Sequence, residues 1–331
     1  MLTGWYPPFK YGRSLNDDER QSHLAYDKPQ NFSPDDAVGM TRLNSTYVEF
    51  VDRTFKVKGM AATLLSFVFC EFFFLFFIYM AGFLMGMDDD VWGSILGLVV
   101  LAVPLVGFPF FVWHIHLRKD LFQYTYYPIR FNRRTRKVHF FRHNGPGGVV
   151  TVPWGDANVY FHVGHGGQNK HLRDLRCHLL DPNRQVLQTF TVGHFWPHEN
   201  YVREEWELIR RYMEQGPEHC YDDERDRVIT LSLKDTLHNC WMFVCMLMGT
   251  TLFPLRFNLL FPVYGALALS RWLTFQSCRK PVFPADIEAE CAIAPDDPYQ
   301  LPEPSFMAEF AEDRAIYKRA EERFRSRQHW K

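Results

Sequence analysis

The sequence predicts an α+β membrane protein in which two transmembrane helical hairpins flank a cytosolic antiparallel β domain closed by one C-terminal helix. Gly59–Gly86 is an apolar run with a single charged residue, Glu71, and it exceeds the roughly 20 residues needed to cross a hydrocarbon core. Residues 121–193 instead contain short aromatic and β-branched runs separated by turn sequences, which is typical of strands. Apolar sequence returns at Leu237–Leu252 and Leu259–Phe275. The chain therefore alternates between membrane and water-exposed parts.

The first two apolar runs predict the first hairpin. Gly59–Gly86 is apolar on every side, whereas the alternative, a buried helix of a soluble protein, would be shorter and would carry a polar stripe. Val91–His114 contains Pro104 and Pro109, which membrane helices tolerate as kinks. An acidic turn at residues 88–90 joins the two runs.

Basic residues predict the orientation of this hairpin. Arg53, Lys56 and Lys58 precede the first run, and Arg118 and Lys119 follow the second. The connecting turn has three aspartates and no base. Because positively charged flanks stay on the cytoplasmic side, we expect both ends of the hairpin in the cytoplasm.

The later apolar runs predict a second hairpin, although each is close to the lower limit of roughly 17 residues for a span. We favour a spanning hairpin that returns Arg271 to the cytoplasm. A re-entrant or interfacial hairpin is the alternative, because Arg256 in the short connection would lie at the far interface and oppose the charge rule.

Between the hairpins, alternation and turn residues predict six strands and one amphipathic helix. The strands are Gln123–Phe131, Lys137–Arg142, Val149–Pro153, Asn158–His162, Arg176–Leu180 and Val186–Val192, and the helix is Trp196–Gln215. The residues before the first span form a polar leader, in which Ser33 and Pro34 favour a helix start near Asp35.

This order of elements, a meander of strands closed by one helix over residues 117–215, resembles the pleckstrin-homology-like (PH-like) fold of small bacterial domains beside membrane spans. The predicted divisions are a cytosolic leader at 1–58, hairpin 1 at 59–116, a PH-like β domain with its helix at 117–235, hairpin 2 at 236–276 and a cytosolic tail with a terminal helix at 277–331.

Composition and motifs disfavour several functional classes. A net charge of -1 gives no basic field for nucleic acid. The seven cysteines are scattered without a CxxC pair, which indicates reduced thiols in a cytosol-facing protein. The chain has no GxSxG nucleophile motif and no phosphate-binding loop followed by Lys-Ser or Lys-Thr. We therefore predict no enzymatic activity, no cofactor and no nucleic-acid partner.

The histidines predict no metal site. His162, His165, His171 and His178 fall in the β domain, but no HExxH or CxxC spacing accompanies them. We interpret them as solvated loop histidines.

Two sets of charged residues are candidate contacts. Glu71 lies within the first span, where a carboxylate is costly and indicates either a proton or ion relay or a hydrogen bond to a neighbouring span. The densest basic patch is predicted to contact anionic headgroups or a partner, with a solvated hairpin tip as the alternative. It consists of Arg130, Arg133, Arg134, Arg136 and Lys137.

The segments FNRRTRKVHFFR, TVPWGDANVYF and RKPVFPADIEAEC resemble motifs of an uncharacterised bacterial membrane-protein family found beside type VI secretion effector genes. The resemblance covers most of residues 41–291, and its motif residues here are Trp154, Asp156, Pro284 and Asp286. It implies a multi-pass bacterial inner-membrane protein with cytoplasmic termini, acting as an immunity or accessory protein for a secreted toxin. The expected partners are the lipid bilayer and that toxin. The alternative function is a small-solute or proton pathway centred on Glu71.

Overall fold

A computed structural model describes residues 9–86, 91–166, 169–247 and 259–304. The predicted acidic turn at 88–90, the connection that contains Arg256 and the predicted terminal helix lie outside these residues. Within them, the chain has an α+β architecture with antiparallel sheets and two long apolar helices, as the sequence predicted.

The β domain contains two antiparallel sheets. The first has five strands, each paired with the next along the chain. They are β1 (Met40–Leu43), β2 (Tyr47–Phe50), β3 (Ile129–Asn132), β4 (Lys137–Phe141) and β5 (Val149–Pro153). The second sheet pairs β6 (Val159–His165), β7 (Arg173–Leu180) and β8 (Val186–Trp196). All six strands predicted between the hairpins are present.

The helix α5 (Glu199–Glu214) follows β8 and packs against both sheets. The predicted amphipathic pattern places Trp206, Ile209 and Tyr212 in the core, where each is completely buried. They share one apolar cluster with residues of both sheets, among them Phe131 and Phe161. The helix therefore closes the domain, as predicted.

The polar leader is part of the β domain. β2 pairs with β3 through Val48 and Phe131, so the leader supplies two strands of the larger sheet. The helix predicted from Asp35 is absent: the side chain of Asp35 accepts a hydrogen bond from the amide of Ala37, and Ala37 and Val38 have positive φ angles. These residues form a turn, because the aspartate side chains satisfy nearby amides without a helix. A short helix, α1 (Asp17–Gln21), lies earlier in the leader.

Two helices are long and apolar enough to cross a membrane. The first is α2 (Ala61–Met85). The second begins as α3 (Val91–Val112) and continues through a π-helical turn, Trp113–Leu117, into the short α4 (Arg118–Asp120). Only 6% and 0% of the residues in their most apolar segments are buried, so they are not core helices of a soluble domain.

Within the described residues, one helix of the second predicted hairpin is shorter than a membrane crossing requires and the other is at the lower limit. Its helices are α6 (Leu237–Leu247), with 11 residues, and α7 (Phe261–Ser277), with 17. They pack against each other and against Val51 and Phe55 of the β domain. Arg271, predicted to lie in the cytoplasm beyond a span, is buried inside α7 and donates hydrogen bonds to the carbonyls of Phe55 and Lys58.

Candidate functional site

The junction between the β domain and the apolar helices is held by polar contacts. Asp120 accepts hydrogen bonds from the amide of Gly59 at 2.9 Å and from the hydroxyl of Thr63 at 2.5 Å. His116 Nε2 lies 3.3 Å from the same hydroxyl. These contacts join the start of α2 to the end of the second apolar helix, so both helices leave the domain from one fixed point.

Glu71 lies about 15 Å along α2 from its first residue, at 1.5 Å per residue. Its side chain is exposed and makes no hydrogen bond or ion pair with a described residue. Asn239, a polar residue in the apolar α6, donates its side-chain amide to the carbonyls of Ser232 and Lys234. Glu71 therefore faces outward from the described helices, without the intrachain partner that a packing role would require.

The predicted basic patch is divided among intrachain ion pairs. Arg130 is buried in β3, where its guanidinium lies 2.5 Å from a carboxylate oxygen of Glu49 and 3.0 Å from one of Glu288. Arg136 pairs with Glu214 at 2.7 Å, and Lys137 pairs with Glu290 at 2.7 Å. Arg133 and Arg134 have no carboxylate within ion-pair distance among the described residues. Three of the five bases thus have carboxylate partners within the chain.

The strand register also places this patch away from the apolar helices. Phe50 at the end of β2 pairs with Ile129, and the chain enters α2 soon after Phe50. The turn at 133–136 follows Asn132, at the opposite end of β3 and about 10 Å farther along the strand.

A different basic surface lies beside the apolar helices. Arg118, Arg142 and Arg279 are exposed, and none pairs with a carboxylate among the described residues. Phe122 and Val282 belong to the same segments as Arg118 and Arg279 and are exposed, with 64% and 60% of their surface accessible. We call these five residues the membrane ledge.

Hydrogen bonds hold the three segments of the membrane ledge together. The amide of Arg279 donates to the carbonyl of Gln123 at 2.7 Å, and the amide of Asn144 donates to the hydroxyl of Tyr124 at 2.8 Å. Asn144 also accepts a hydrogen bond from the amide of Val282 at 3.0 Å. Bases interspersed with exposed apolar side chains suit the headgroup layer of a bilayer.

A cavity of about 280 Å³ lies near the same end of the sheets. Its lining includes Asp52, Arg53, Arg142 and Thr191. Arg53 is already paired with Asp174 at 3.1 Å, which leaves Arg142 as a lining cation without a carboxylate partner among the described residues. This volume is just below the roughly 300–1,000 Å³ of typical ligand sites.

The motif residues have structural contacts. Trp154 is buried against Trp206 and donates its indole N–H to Glu214 at 2.6 Å. Asp156 accepts a hydrogen bond from the amide of Asn158 at 2.7 Å and shapes the turn before β6. Pro284 is the N-cap of α8 (Ala285–Glu290), and Asp286 lies in its first turn, where a negative charge favours the helix. These roles give a packing and folding reason for each residue.

One group of side chains in the described residues could hold a metal ion. Glu19, His162 and His178 each offer one ligand atom, all within 4.8 Å of one another, and all three residues are buried. The two Nε2 atoms are 2.9 Å apart, and His178 Nε2 lies 3.3 Å from Glu19 Oε1. The interpretation of these two histidines as solvated loop residues was wrong, because both lie on strands under the leader.

Within this group, His162 is neutral and Glu19 is ionised. Burial lowers the pKa of His162 to about 3, so its imidazole is neutral at physiological pH. Burial alone would raise the pKa of Glu19, but hydrogen bonds from Arg13 and His178 hold that pKa below its usual range. A neutral imidazole and an ionised carboxylate are the protonation states that ligate metals.

One protein family matches this chain. The model of a family of unknown function, DUF6708, matches residues 108–295, from within α3 through α8. The chain belongs to this family. No curated protein and no solved structure matched it. The DUF6708 match leaves out β1 and β2, although these strands complete the larger sheet, and it also leaves out Glu19 of the buried group.

Sequence reasoning missed the membrane ledge and the buried group for different reasons. The ledge combines residues from three segments, and only the proximity of Arg118 to a predicted span was a usable signal. His162 and His178 are on neighbouring strands, whose pairing was not predicted. Glu19 comes from the polar leader, far along the chain from both histidines.

Proposed function

We propose that this chain is a non-enzymatic bacterial inner-membrane interaction protein, anchored by α2 and α3, whose β domain lies in the cytosol. The observation that carries the proposal is the exposure of the two apolar helices. Only 6% of the most apolar segment of the first helix is buried, and 0% of that of the second. Apolar surface of this extent requires lipid or another protein to cover it. The membrane ledge supports the orientation, because bases belong on the cytoplasmic side.

We further propose a PH-like fold for the β domain. Five- and three-stranded antiparallel sheets closed by α5 support this assignment through their order along the chain. In this proposal the leader contributes the first two strands, and α2, α3 and α4 are inserted between β2 and β3. Such a domain serves as a scaffold for contacts, and its fold alone does not specify a partner.

The second hairpin fits the re-entrant alternative better than a full span in this proposal. Leu259, Phe261 and Val263 are exposed, whereas the other end of α7 is packed against the start of α2. An apolar tip on a short, domain-bound hairpin suits shallow insertion into one leaflet.

The proposed partner is the toxin encoded by a neighbouring type VI secretion effector gene, with this chain as its immunity or accessory protein. The support is the motif resemblance over residues 41–291. A non-enzymatic role is also supported by the buried cysteines, because burial raises the pKa of the thiols of Cys177, Cys220 and Cys291. A nucleophilic cysteine needs the opposite change.

Co-expression with the product of the neighbouring toxin gene tests this role. We expect cells that carry the chain to survive, and the toxin to co-purify with the chain from detergent-solubilised membranes. Trp206→Ala should abolish both results, because it removes a side chain at the centre of the core. Cell death at the same rate with and without the chain would rule out an immunity role.

The alternative function is a proton or small-solute pathway through Glu71. The observation that favours it is the exposed carboxylate without a partner among the described residues. The facing part of α3 around Phe108 offers no second charged residue, which disfavours a relay. If the pathway operates, Glu71→Gln abolishes proton flux in reconstituted vesicles; equal flux in both proteins would remove this alternative.

A further inference from the structure

The outer face of the smaller sheet is covered by the leader. On β6, Phe161 and Val163 point into the core, so His162 between them points to the opposite face. The leader pairs with both edges of this sheet, since the amide of Val186 on β8 donates to the carbonyl of Arg13 and the amide of Leu24 donates to the carbonyl of Phe161 on β6. Between the two edges, the hydroxyl of Tyr160, on the same face as His162, donates to the carbonyl of Glu19. The leader therefore crosses this sheet as a strap, which we define as residues 13–24, and buries the polar group beneath it.

In each histidine, Nδ1 contacts a neighbouring polar group, and Nε2 faces the other two residues of the buried group. His162 Nδ1 lies 3.2 Å from the carbonyl of Val163, which accepts hydrogen bonds but cannot donate one. His162 Nδ1 must therefore carry the proton, and its Nε2 presents a lone pair to the group. His178 Nδ1 lies 2.8 Å from the hydroxyl of Thr189, which can donate to Nδ1 while His178 Nε2 carries the proton shared with His162 and Glu19. When an ion displaces that proton to Nδ1, the same hydroxyl can accept from it. Partners of this kind orient metal-binding histidines.

The inward atoms have nearly the spacing that a shared ion requires. Two ligands about 2.1 Å from one tetrahedral ion are about 3.4 Å apart. The observed separations are 2.9 Å between the imidazoles and 3.3 Å between His178 and Glu19, and all three ligand atoms lie within 4.8 Å of one another, so side-chain rotations could place them around one ion.

We propose that Glu19, His162 and His178 bind one divalent transition-metal ion of the zinc class, which fastens the strap to the smaller sheet. Two imidazoles and one carboxylate are ligands that zinc accepts. A water molecule, or the second carboxylate oxygen of Glu19, would be the fourth ligand. Arg13 holds the carboxylate of Glu19 through hydrogen bonds of 2.6 and 2.8 Å, and the backbone N–H of Asn16 donates to the same carboxylate at 2.9 Å. The carboxylate is thus held in place before an ion arrives.

Zinc binding by the full chain in detergent tests the site. The protein is purified through a tag without histidines, stripped with EDTA and titrated with Zn²⁺ in a calorimeter. We expect one equivalent per chain, retained through a desalting column. We also expect Zn²⁺ to slow amide hydrogen exchange in the strap, which an ion bound elsewhere would not do.

His178→Gln and His162→Gln should each abolish the retained equivalent. The matched control is His139→Gln, which replaces another buried strand histidine whose Nδ1 contacts a threonine hydroxyl, Thr151, at 2.9 Å. His139→Gln should retain the equivalent.

If the histidine variants do not fold, Glu19→Gln provides the second test, with an expected loss of affinity of about tenfold or more. The proposal is overturned if the wild type retains no zinc. The proposal is also overturned if Glu19→Gln, or a histidine variant that folds, binds zinc as tightly as the control His139→Gln does. Zinc would then bind at histidines outside this group.

Discussion

Glu205 is a carboxyl group enclosed between α5 and the backbone of the β domain. It is completely buried, and neither oxygen has a hydrogen-bond partner among the described residues. Its carboxyl oxygens fill the space that a Cβ atom would need at Gly193. Burial, reinforced by the negative charges of Asp36 and Asp35, raises the pKa of Glu205 well above that of a free glutamate. The folded chain therefore keeps this group protonated at pH values where the unfolded chain has released the proton.

This raised pKa predicts the effect of Glu205→Gln. Folding takes up a proton at Glu205 above the ordinary carboxyl range, so this residue makes stability fall as the pH rises. The amide removes that dependence. We expect Glu205→Gln to raise the free energy of unfolding by about 1 kcal/mol or more at pH 8, with the gain disappearing near pH 4. Thermal unfolding of both proteins in detergent across this range measures the difference.

The exposed Glu218 provides the matched control for this substitution. Glu218→Gln should leave stability close to that of the wild type at every pH. A gain for Glu205→Gln that is equal at pH 4 and pH 8 would contradict the assignment of a protonated carboxyl group.

The burial and the contact partners of single residues were the hardest features to predict from this sequence. Arg130 belongs to a run of bases that resembles a solvated turn, yet the pairing of β2 with β3 places it beside Glu49 in the interior. Nothing local in the sequence encodes that register. By contrast, the location of Glu71 on a long apolar helix follows from hydropathy alone, and the structure agrees.

Among the elements, Gly59 fixes the angle at which α2 leaves the β domain. Its φ angle is +69°, and an added Cβ atom would lie 2.7 Å from the Cα of Arg271 and 2.8 Å from the hydroxyl oxygen of Thr274. A side chain here is unfavourable for two reasons, because the left-handed backbone disfavours it and α7 occupies its space.

We expect Gly59→Ala to destabilise the protein by about 1–3 kcal/mol, since strain and the contact with α7 both oppose alanine. Thermal unfolding in detergent should show a lower Tm. Gly107→Ala in α3 is the control, because an added Cβ atom meets nothing within 4 Å there and alanine favours a helix. Equal Tm values for the two variants would show that α7 does not constrain this junction.

Elements were predicted well where their pattern was local. The six strands between the hairpins and α5 follow from alternation, turn residues and amphipathicity. β1 and β2 were missed because each has four residues and is stabilised by pairing with a segment far along the chain. Hydropathy favoured a spanning second hairpin over a re-entrant one, but it does not register that Arg271 and one face of α7 are buried by the domain.

At the scale of the whole molecule, the membrane ledge and the basic turn at 133–136 are on opposite sides of the β domain in our account. A photoreactive phenylalanine analogue in place of Phe122 should therefore form adducts with lipid in nanodiscs. The same analogue in place of Arg134 should form none, because that residue lies beyond the membrane-distal end of β3. Mass spectrometry of the irradiated protein detects the adducts. Adducts at 134 and none at 122 would reverse the proposed orientation.

The central claim is that α2 and α3 cross the membrane and hold the β domain in the cytoplasm. Labelling of intact cells with a membrane-impermeant maleimide tests it most directly, using three single substitutions: Asp89→Cys between the two helices, Arg134→Cys in the β domain and Thr251→Cys in the second hairpin. The wild-type chain measures the background from its own cysteines.

We expect the reagent to label Asp89→Cys in intact cells and to label Arg134→Cys only after lysis. Thr251→Cys should also stay unlabelled until lysis, because a shallow hairpin does not reach the far side. Labelling of Arg134→Cys in intact cells, with Asp89→Cys protected until lysis, would contradict the account.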